Sequence, residues 1–508
     1  MGAMKRQPTQ LTLNLLPTAL NDLSQGESKR EANGQLNKLD KQDRAIHDWY
    51  RFVLSFPPHL VRDYLRDFAL NQGSVVLDPF CGTGTTVVES KLNGMQAIGV
   101  EANRFAHFAA SVKIDWEIDP DLFTARAHEI AHAALKLLEQ QGIQDNQPFQ
   151  KNERVGQLRT LSPEETKLLL ANSISPLPLH KTLVLRDCLD QYITERHYKH
   201  LRLALAKALV FTISNLHFGP EVGVGKPKVD APVITAWLAE VERIANDVRF
   251  IESKKSPPAE VLLADARQLD KVLKPQSVDA VITSPPYPNE KDYTRTTRLE
   301  SVILGLIKSK ADLRELKYGL LRSNTRNVYK DDDDDRWVSG HPEIQRIATE
   351  IERRRIELGK TSGFEKMYSR VTRLYFGGMA RHLAALRHVL RPGARLAYVV
   401  GDQASYLRFM IRTGRLLADI AQALGYEVVR IDLFRTRFAT ATQEQLREEV
   451  VFLEWNGHRL GVAPLAHRHP FNIRHILSAS LTLHACAMQP PGLNGSVASY
   501  TSANEPRP

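Results

Sequence analysis

Cysteine is scarce: three in 508 residues. That excludes a disulfide scaffold, and Cys81, Cys188 and Cys486 form no Cys-x-x-Cys pair for zinc. A reducing cytoplasm is the expected setting. No run of about 18 apolar residues occurs, so no membrane-spanning helix and no membrane partner are expected. The opening Met1-Gly2-Ala3-Met4-Lys5-Arg6 lacks the apolar stretch of a secretory signal. Acid is outnumbered by base: 68 Lys and Arg against 58 Asp and Glu leave +10, with pI ≈ 9.3. A positive balance suits a polyanion such as nucleic acid, but it gains weight only beside a chemical motif. What is present is ordinary for a globular chain. With 43% hydrophobic and 25% charged residues it is not wholly disordered. Its length leaves room for about three domain-sized units.

Residues 1–45 are polar, with one amphipathic stretch from Leu11 to Leu23, and read as an arm. From Ile46 to Leu70, Trp49, Phe52, Val53, Leu60, Val61, Tyr64, Leu65 and Phe68 recur at helical spacing, interrupted by Pro57-Pro58. Val75-Val76-Leu77 reads as a buried strand, Thr85 to Leu92 as a helix stopped by Asn93-Gly94, and Ala97 to Val100 as a second strand. This is a β-α-β unit, whose crossover should be right-handed. Residues 119–257 read as a mainly helical insertion, with helices over 125–141, 201–214 and 236–249. Strands resume at Val261-Leu262-Leu263 and Val278 to Ile282. A second insertion, 303–364, holds five consecutive acids, Asp331 to Asp335, and a helix over Pro342 to Leu358. A helix from Phe364 to Leu390, a turn at Arg391-Pro392-Gly393, a strand from Arg395 to Val400 and a helix from Thr413 to Leu424 follow. Glu427 to Phe434 and Glu449 to Trp455 read as an antiparallel pair. One α/β domain is therefore built discontinuously, from 46–118, 258–302 and 365–456. The tail, 457–508, is rich in His, Pro and Ser and is expected to be partly disordered.

Four local signals carry chemistry. In Asp78-Pro79-Phe80-Cys81-Gly82-Thr83-Gly84-Thr85 a buried strand ends at an acid and a glycine loop opens a helix. Gly82 and Gly84 let the backbone approach a ligand, and Asp78 stands where open α/β sheets bind one. A carboxylate there suits an ammonium better than a phosphate. Glu101 ends the next strand, placed for hydrogen bonds to ribose hydroxyls. Asp265, with Ala266 beside it, follows a third strand and suits an exocyclic amine. Taken singly, the loop is a structural turn and the acids are solvated strand ends. Taken together, they describe a nucleoside that carries an amino acid. The fourth signal is Thr283-Ser284-Pro285-Pro286-Tyr287. The prolines donate no N–H, so the loop presents carbonyl acceptors, and the Ser284 hydroxyl adds another. Converging acceptors suit an NH₂ group, and Tyr287 offers a flat face to a base taken out of its stack.

Asp78 to Thr85 and Thr283 to Tyr287 resemble motifs I and IV of the DNA amino-methyltransferases, which use S-adenosylmethionine to methylate cytosine N4 or adenine N6. The Ser-Pro-Pro-Tyr form resembles the N4-cytosine group. Asp292-Tyr293 is similar to the continuation of motif IV, Trp49 to Leu65 to motif X, and Arg391-Pro392-Gly393 to a later structural motif. The resemblance covers about residues 46–118, 258–300 and 365–455. It implies a Rossmann-like fold with a mostly parallel seven-stranded sheet and an antiparallel strand near the C-terminus. It assigns Asp78, Pro79, Phe80, Cys81, Gly82, Thr83, Gly84, Thr85, Glu101, Asp265 and Ala266 to the cofactor, and Ser284, Pro285, Pro286 and Tyr287 to catalysis. The implied partner is double-stranded DNA. A restriction–modification or other defence setting, with cognate defence proteins, is implied too.

Motifs I and IV lie further apart than a compact version of the fold needs, so either insertion is a candidate DNA reader. Residues 303–364 follow the catalytic loop and are the candidate target-recognition region, with Arg322 and Arg326 as candidate DNA contacts. The loop from His217 to Lys228 is rich in glycine and lysine, which offers Lys226 and Lys228 to phosphates. It is no P-loop, because Pro227 stands where Ser or Thr is needed. The acid run Asp331 to Asp335 would repel DNA and is expected to be solvated or turned away. Methylation at cytosine C5 needs a thiolate, typically in a Pro-Cys pair, and none is present; Cys81 reads as a small packing residue. His458, His467, His469, His475 and His484 lack accompanying carboxylates or thiols, so no metal is expected. Adenine N6, an RNA substrate and a non-catalytic DNA-binding subunit remain as alternatives.

Overall fold

Runs of Val, Ile and Leu bounded by turns set the strands. The structure is a computed structural model that describes residues 39–52, 55–146, 157–218, 222–251, 257–289, 291–439 and 444–457. Most of the polar arm, with Leu11 to Leu23, and the tail from 458, with its histidines and Cys486, lie outside the described residues. The strands are β1 (Val75–Asp78), β2 (Gln96–Glu101), β3 (Leu216–Phe218), β4 (Val222–Val224), β5 (Ala259–Leu263), β6 (Val278–Thr283), β7 (Leu390–Gly401), β8 (Glu427–Ala439) and β9 (Glu444–Trp455).

Seven of them form one sheet in the order β5-β2-β1-β6-β7-β9-β8. The first five are parallel. β9 runs antiparallel to both β7 and β8. This is the Rossmann-like, mostly parallel sheet expected, and the last two strands pair as expected, though each is longer. The chain winds outward from β1 through β2 to β5, then returns to the other side of β1 as β6. That reversal opens a crevice at the carboxyl ends of β1 and β6, where such sheets bind ligands.

The segment between β2 and β5 folds mainly as helices: Pro120–Glu139, Pro163–Leu168, Pro176–Asp190, Tyr198–Ala208 and Val233–Ile251. Three of them begin on a proline, whose missing N–H costs nothing in a first turn. One apolar cluster joins Trp49 and Tyr50, Val87 and Val88 beside β1, and Phe123, Leu201 and Trp237 of these helices. The helical insertion therefore shares its core with the sheet. Among the described residues no helix is long and apolar enough to cross a membrane.

Three local expectations need correction. Trp49 to Phe68 is no single interrupted helix. His47–Trp49 is one 3₁₀ turn, and Pro58 starts a fresh helix, Pro58–Asp67, as its first residue. The helix before β7 spans only Tyr368–Leu386, behind a 3₁₀ turn at Glu365–Met367. Arg391-Pro392-Gly393 lies within β7 as a bulge: β6 pairs Val278 with Leu390 and Ala280 with Arg395, so the extra residues are pushed out, with Gly393 at φ +84°.

Candidate active site

A cavity of about 230 Å³ opens over the carboxyl ends of β1, β2, β5 and β6. Its wall brings together Pro79, Phe80, Cys81, Gly82, Thr83 and Thr85 from the glycine loop, Glu101 from β2, and Asp265 and Ala266 after β5. Ser284, Pro285, Pro286 and Tyr287 close the same cavity after β6. Two expected residues stay off the wall. Asp78 is 1% exposed and turns to β6, accepting hydrogen bonds from Thr283 Oγ1 at 2.6 Å and the Phe80 N–H at 3.1 Å. It thereby ties β1 to β6 beneath the loop. Gly84 faces the helix Arg104–Lys113. It caps the helix Thr85–Leu92 at φ +86°, and a Cβ there would meet the Ala110 Cβ at 3.1 Å. Gly82, at φ +51°, is the glycine that faces the cavity, with Phe52 as its nearest neighbour.

Burial shapes the titration of the site. Glu101 accepts from the Gly82 N–H at 2.8 Å and the Asn103 N–H at 2.7 Å, one on each oxygen. Desolvation nevertheless lifts its carboxyl to about 7. Asp78 rises to about 6, again mainly by burial, against the opposing hydrogen bonds. Lys113 lies beneath the loop and donates to the carbonyls of Thr83 (2.9 Å) and Tyr50 (3.2 Å). Burial, helped by Arg51 and Lys207, draws its ammonium down to about 7. Cys81 is buried, its thiol pushed well up by desolvation, and its Sγ packs against Gly99, where a Cβ would stand 2.9 Å away. It is a packing residue.

At the loop after β6, Ser284 donates its hydroxyl proton to the Val399 carbonyl at 3.1 Å. That leaves its oxygen lone pairs as acceptors. Tyr287 lies against β7, where a Cβ on Gly401 would come within 2.8 Å of its ring. At the other end, Arg267 grips Asp265 through two nitrogens, Nη2 at 2.8 Å and Nε at 3.0 Å. The same guanidinium reaches Asp334 at 2.5 Å and the Tyr318 carbonyl at 3.0 Å.

Those last contacts correct two expectations. The acid run is not all solvated: Asp334 is 3% exposed and pairs with Arg267 and Arg381, and Asp332 pairs with Arg322. Arg322 is 2% exposed, held by Asp332 and the carbonyls of Lys317, Tyr318 and Leu320, so it is no free DNA contact. Lys228 is half-buried and donates to the Thr212 carbonyl. Lys226 and Arg326 are exposed, the latter over the Phe364 ring. Asp40, Asp43 and His59 form the one group, among the described residues, close enough to hold a metal; none lines the cavity, and Asp43 already meets Arg62 at 3.0 Å.

Residues 19–111 match a family model described as DNA methylase, of the N6/N4 type. Type II methyltransferase M.BsoBI of Geobacillus stearothermophilus is 27% identical over 436 residues, covering 79% of this chain and 83% of that protein. Type II methyltransferase M.AvaI of Nostoc sp. is 22% identical over 453 residues, covering 83% and 86%. The chain is thus similar to the N6/N4 DNA methylase family over residues 19–111 and to Type II methyltransferases over most of its length. TrmN from Thermus thermophilus aligns at 12% identity and a TM-score of 0.27, over 81% of this chain and about half (52%) of that one. That likeness is too slight to argue from, and the sheet order carries the fold.

Several residues lining this cavity or lying beneath it carried no motif. Lys113 had the signature of an ordinary helix-end lysine. Arg267 had a faint signal, standing two residues after Asp265. Gly319, Leu320, Leu321, Ser323 and Asn327 line the cavity from within the second insertion, and Phe434, Arg435 and Glu448 from β8 and β9. Only the fold brings these segments to the sheet's edge.

Proposed function

We propose that this protein moves the methyl group of S-adenosylmethionine to the exocyclic N4 of a cytosine flipped out of duplex DNA. The observation that carries this reading is the single cavity shared by the Gly82 loop and the Ser284–Tyr287 loop. The residues fit such a donor. Thr83 Oγ1 is buried on the wall with no hydrogen-bond partner among the described residues, an open position for a ligand. Glu101 keeps lone pairs for a ribose diol beyond the two backbone N–H groups it accepts. Ala266 and Asp265 would receive the adenine. When bound, the donor supplies an electrophilic methyl on a sulfonium.

The chain's residues supply alignment. An exocyclic amine is a poor nucleophile because its lone pair is delocalised into the ring. Hydrogen bonds from the amine to Ser284 Oγ and the Pro285 carbonyl favour a pyramidal nitrogen with the lone pair directed at the methyl. Ser284 suits this because its own proton is committed to Val399. Tyr287 stacks on the extruded base and offsets part of the few kcal/mol that extrusion costs. Asp78 and Lys113 act from beneath, fixing the loop. Among the four candidate DNA contacts, exposure favours Lys226 and Arg326. Both curated relatives are Type II methyltransferases, which supports a restriction–modification setting.

Nucleoside mass spectrometry of DNA from cells expressing the protein tests the reading. N4-methylcytosine is expected. N6-methyladenine in its place would move the target base, and no methyl transfer to DNA at all would leave a DNA-binding subunit.

A further inference from the structure

The second insertion runs along the cavity from end to end. Near Glu101, a Cβ on Gly319 would meet the Ala102 Cβ at 3.4 Å, and the preceding Tyr318 carbonyl is held by Arg267. Further on, the Ser323 carbonyl accepts from the Tyr406 hydroxyl at 3.0 Å. Asn324 Nδ2 then donates to the Lys291 carbonyl at 3.0 Å, on the catalytic loop's own continuation. The Asn327 N–H donates to the Asn324 carbonyl at 3.3 Å, so Asn327 follows within one turn of that contact. Asn327 is 2% exposed and lines the cavity, yet its Oδ1 meets no donor among the described residues. A buried acceptor left unpaired is uncommon and costly, and asks for a ligand.

We propose that Asn327 is a specificity-determining residue that reads the ring edge of the extruded base; this rests on the DNA amino-methyltransferase reading above. A primary amide offers an acceptor and a donor side by side. Cytosine presents the complement, an amine N–H next to the bare ring nitrogen N3. Oδ1 accepts one amine proton while Ser284 and the Pro285 carbonyl take the other, and Nδ2 donates to the ring nitrogen. Thymine and uracil show the reverse order, a carbonyl oxygen next to a ring N–H, and would face Oδ1 with a second acceptor. The adenine amine and its N1 also match, so Asn327 separates amino from keto bases and leaves the choice between the two amino bases to the rest of the pocket.

The test compares wild type, Asn327→Ala and Asn327→Asp. Calorimetry with S-adenosylhomocysteine reads the cofactor end and reports folding. Single-turnover transfer of labelled methyl to unmodified phage-length duplex DNA reads the base end. Asn327→Ala is expected to keep the S-adenosylhomocysteine Kd within about threefold while methyl transfer falls about tenfold or more. Asn327→Asp is expected to recover relative to wild type as pH falls from about 8 to about 5, because burial at this position raises the introduced carboxyl and its protonated form regains an adjacent donor and acceptor. Equal losses in cofactor binding and transfer, unchanged transfer in Asn327→Ala, or a flat ratio of Asn327→Asp to wild type would overturn the assignment. A wild-type protein that transfers no methyl to DNA would overturn the functional reading and this one with it. An active wild type matched by its variants removes Asn327 alone.

Discussion

If Glu101 holds the cofactor ribose as proposed, cofactor affinity is predicted to depend on pH across the neutral range. Its carboxyl is held at about 7 by desolvation in the unliganded protein. Hydrogen bonds from a ribose diol require the ionised form, which accepts on both oxygens. Binding must therefore strengthen as pH rises through 7 and level off above it. About a tenth of the carboxyl is ionised one unit below its pKa, so the S-adenosylhomocysteine Kd at pH 6 should be about tenfold weaker than at pH 8. The same shift affects stability with the opposite sign. A carboxyl raised from 4.5 to about 7 on folding contributes stability that is present below pH 4.5 and lost as pH rises through 7. For this half-buried group that loss is at most on the order of 3 kcal/mol, and bound cofactor offsets it. Calorimetry between pH 5.5 and 8.5 on wild type and Glu101→Gln is the assay. The amide variant should bind weakly at every pH and lose the slope. Asp78, at about 6, and Lys113, at about 7, titrate nearby, so a slope that survives in Glu101→Gln belongs to them and refutes the reasoning.

Other substitutions follow from particular contacts. Ser284→Ala should cut single-turnover methylation at least about tenfold with little change in cofactor affinity, whereas Asp78→Ala should weaken cofactor binding by loosening the loop; equal effects on both readouts in either variant would count against the division of roles. Gly377→Ala should lower stability by about 1–3 kcal/mol in thermal melts, because the new Cβ would fall 1.9 Å from the Asp334 carbonyl oxygen and push the second insertion off its helix. Arg267→Met strands Asp265 and leaves Asp334 with Arg381 alone. A loss of about 3 kcal/mol in urea unfolding is expected, with weaker S-adenosylhomocysteine binding, and a wild-type urea midpoint would show that the buried pair holds nothing.

Much of the site was legible because its chemistry is local. A strand, a glycine loop and a helix start are specified within a dozen residues around Gly82, and a strand followed by Ser284-Pro285-Pro286-Tyr287 is specified the same way. The pair β8 and β9 was legible as two short apolar-rich runs following a helix near the end of the domain. The sequence by itself therefore determined the α/β class, the two loops and the acids at the strand ends. Tertiary structure decided which groups those loops face. It turned Asp78 and Gly84 away from the cavity, set Lys113 beneath it and committed Asp265 to Arg267. It also folded the second insertion into a cavity wall, which spent Arg322 and Asp334 on internal ion pairs and left Asn327 facing inward. The reason is range: strand and turn preferences act between neighbours in the chain, whereas burial, pairing and the direction of a side chain depend on segments hundreds of residues away that meet only when the sheet closes around them.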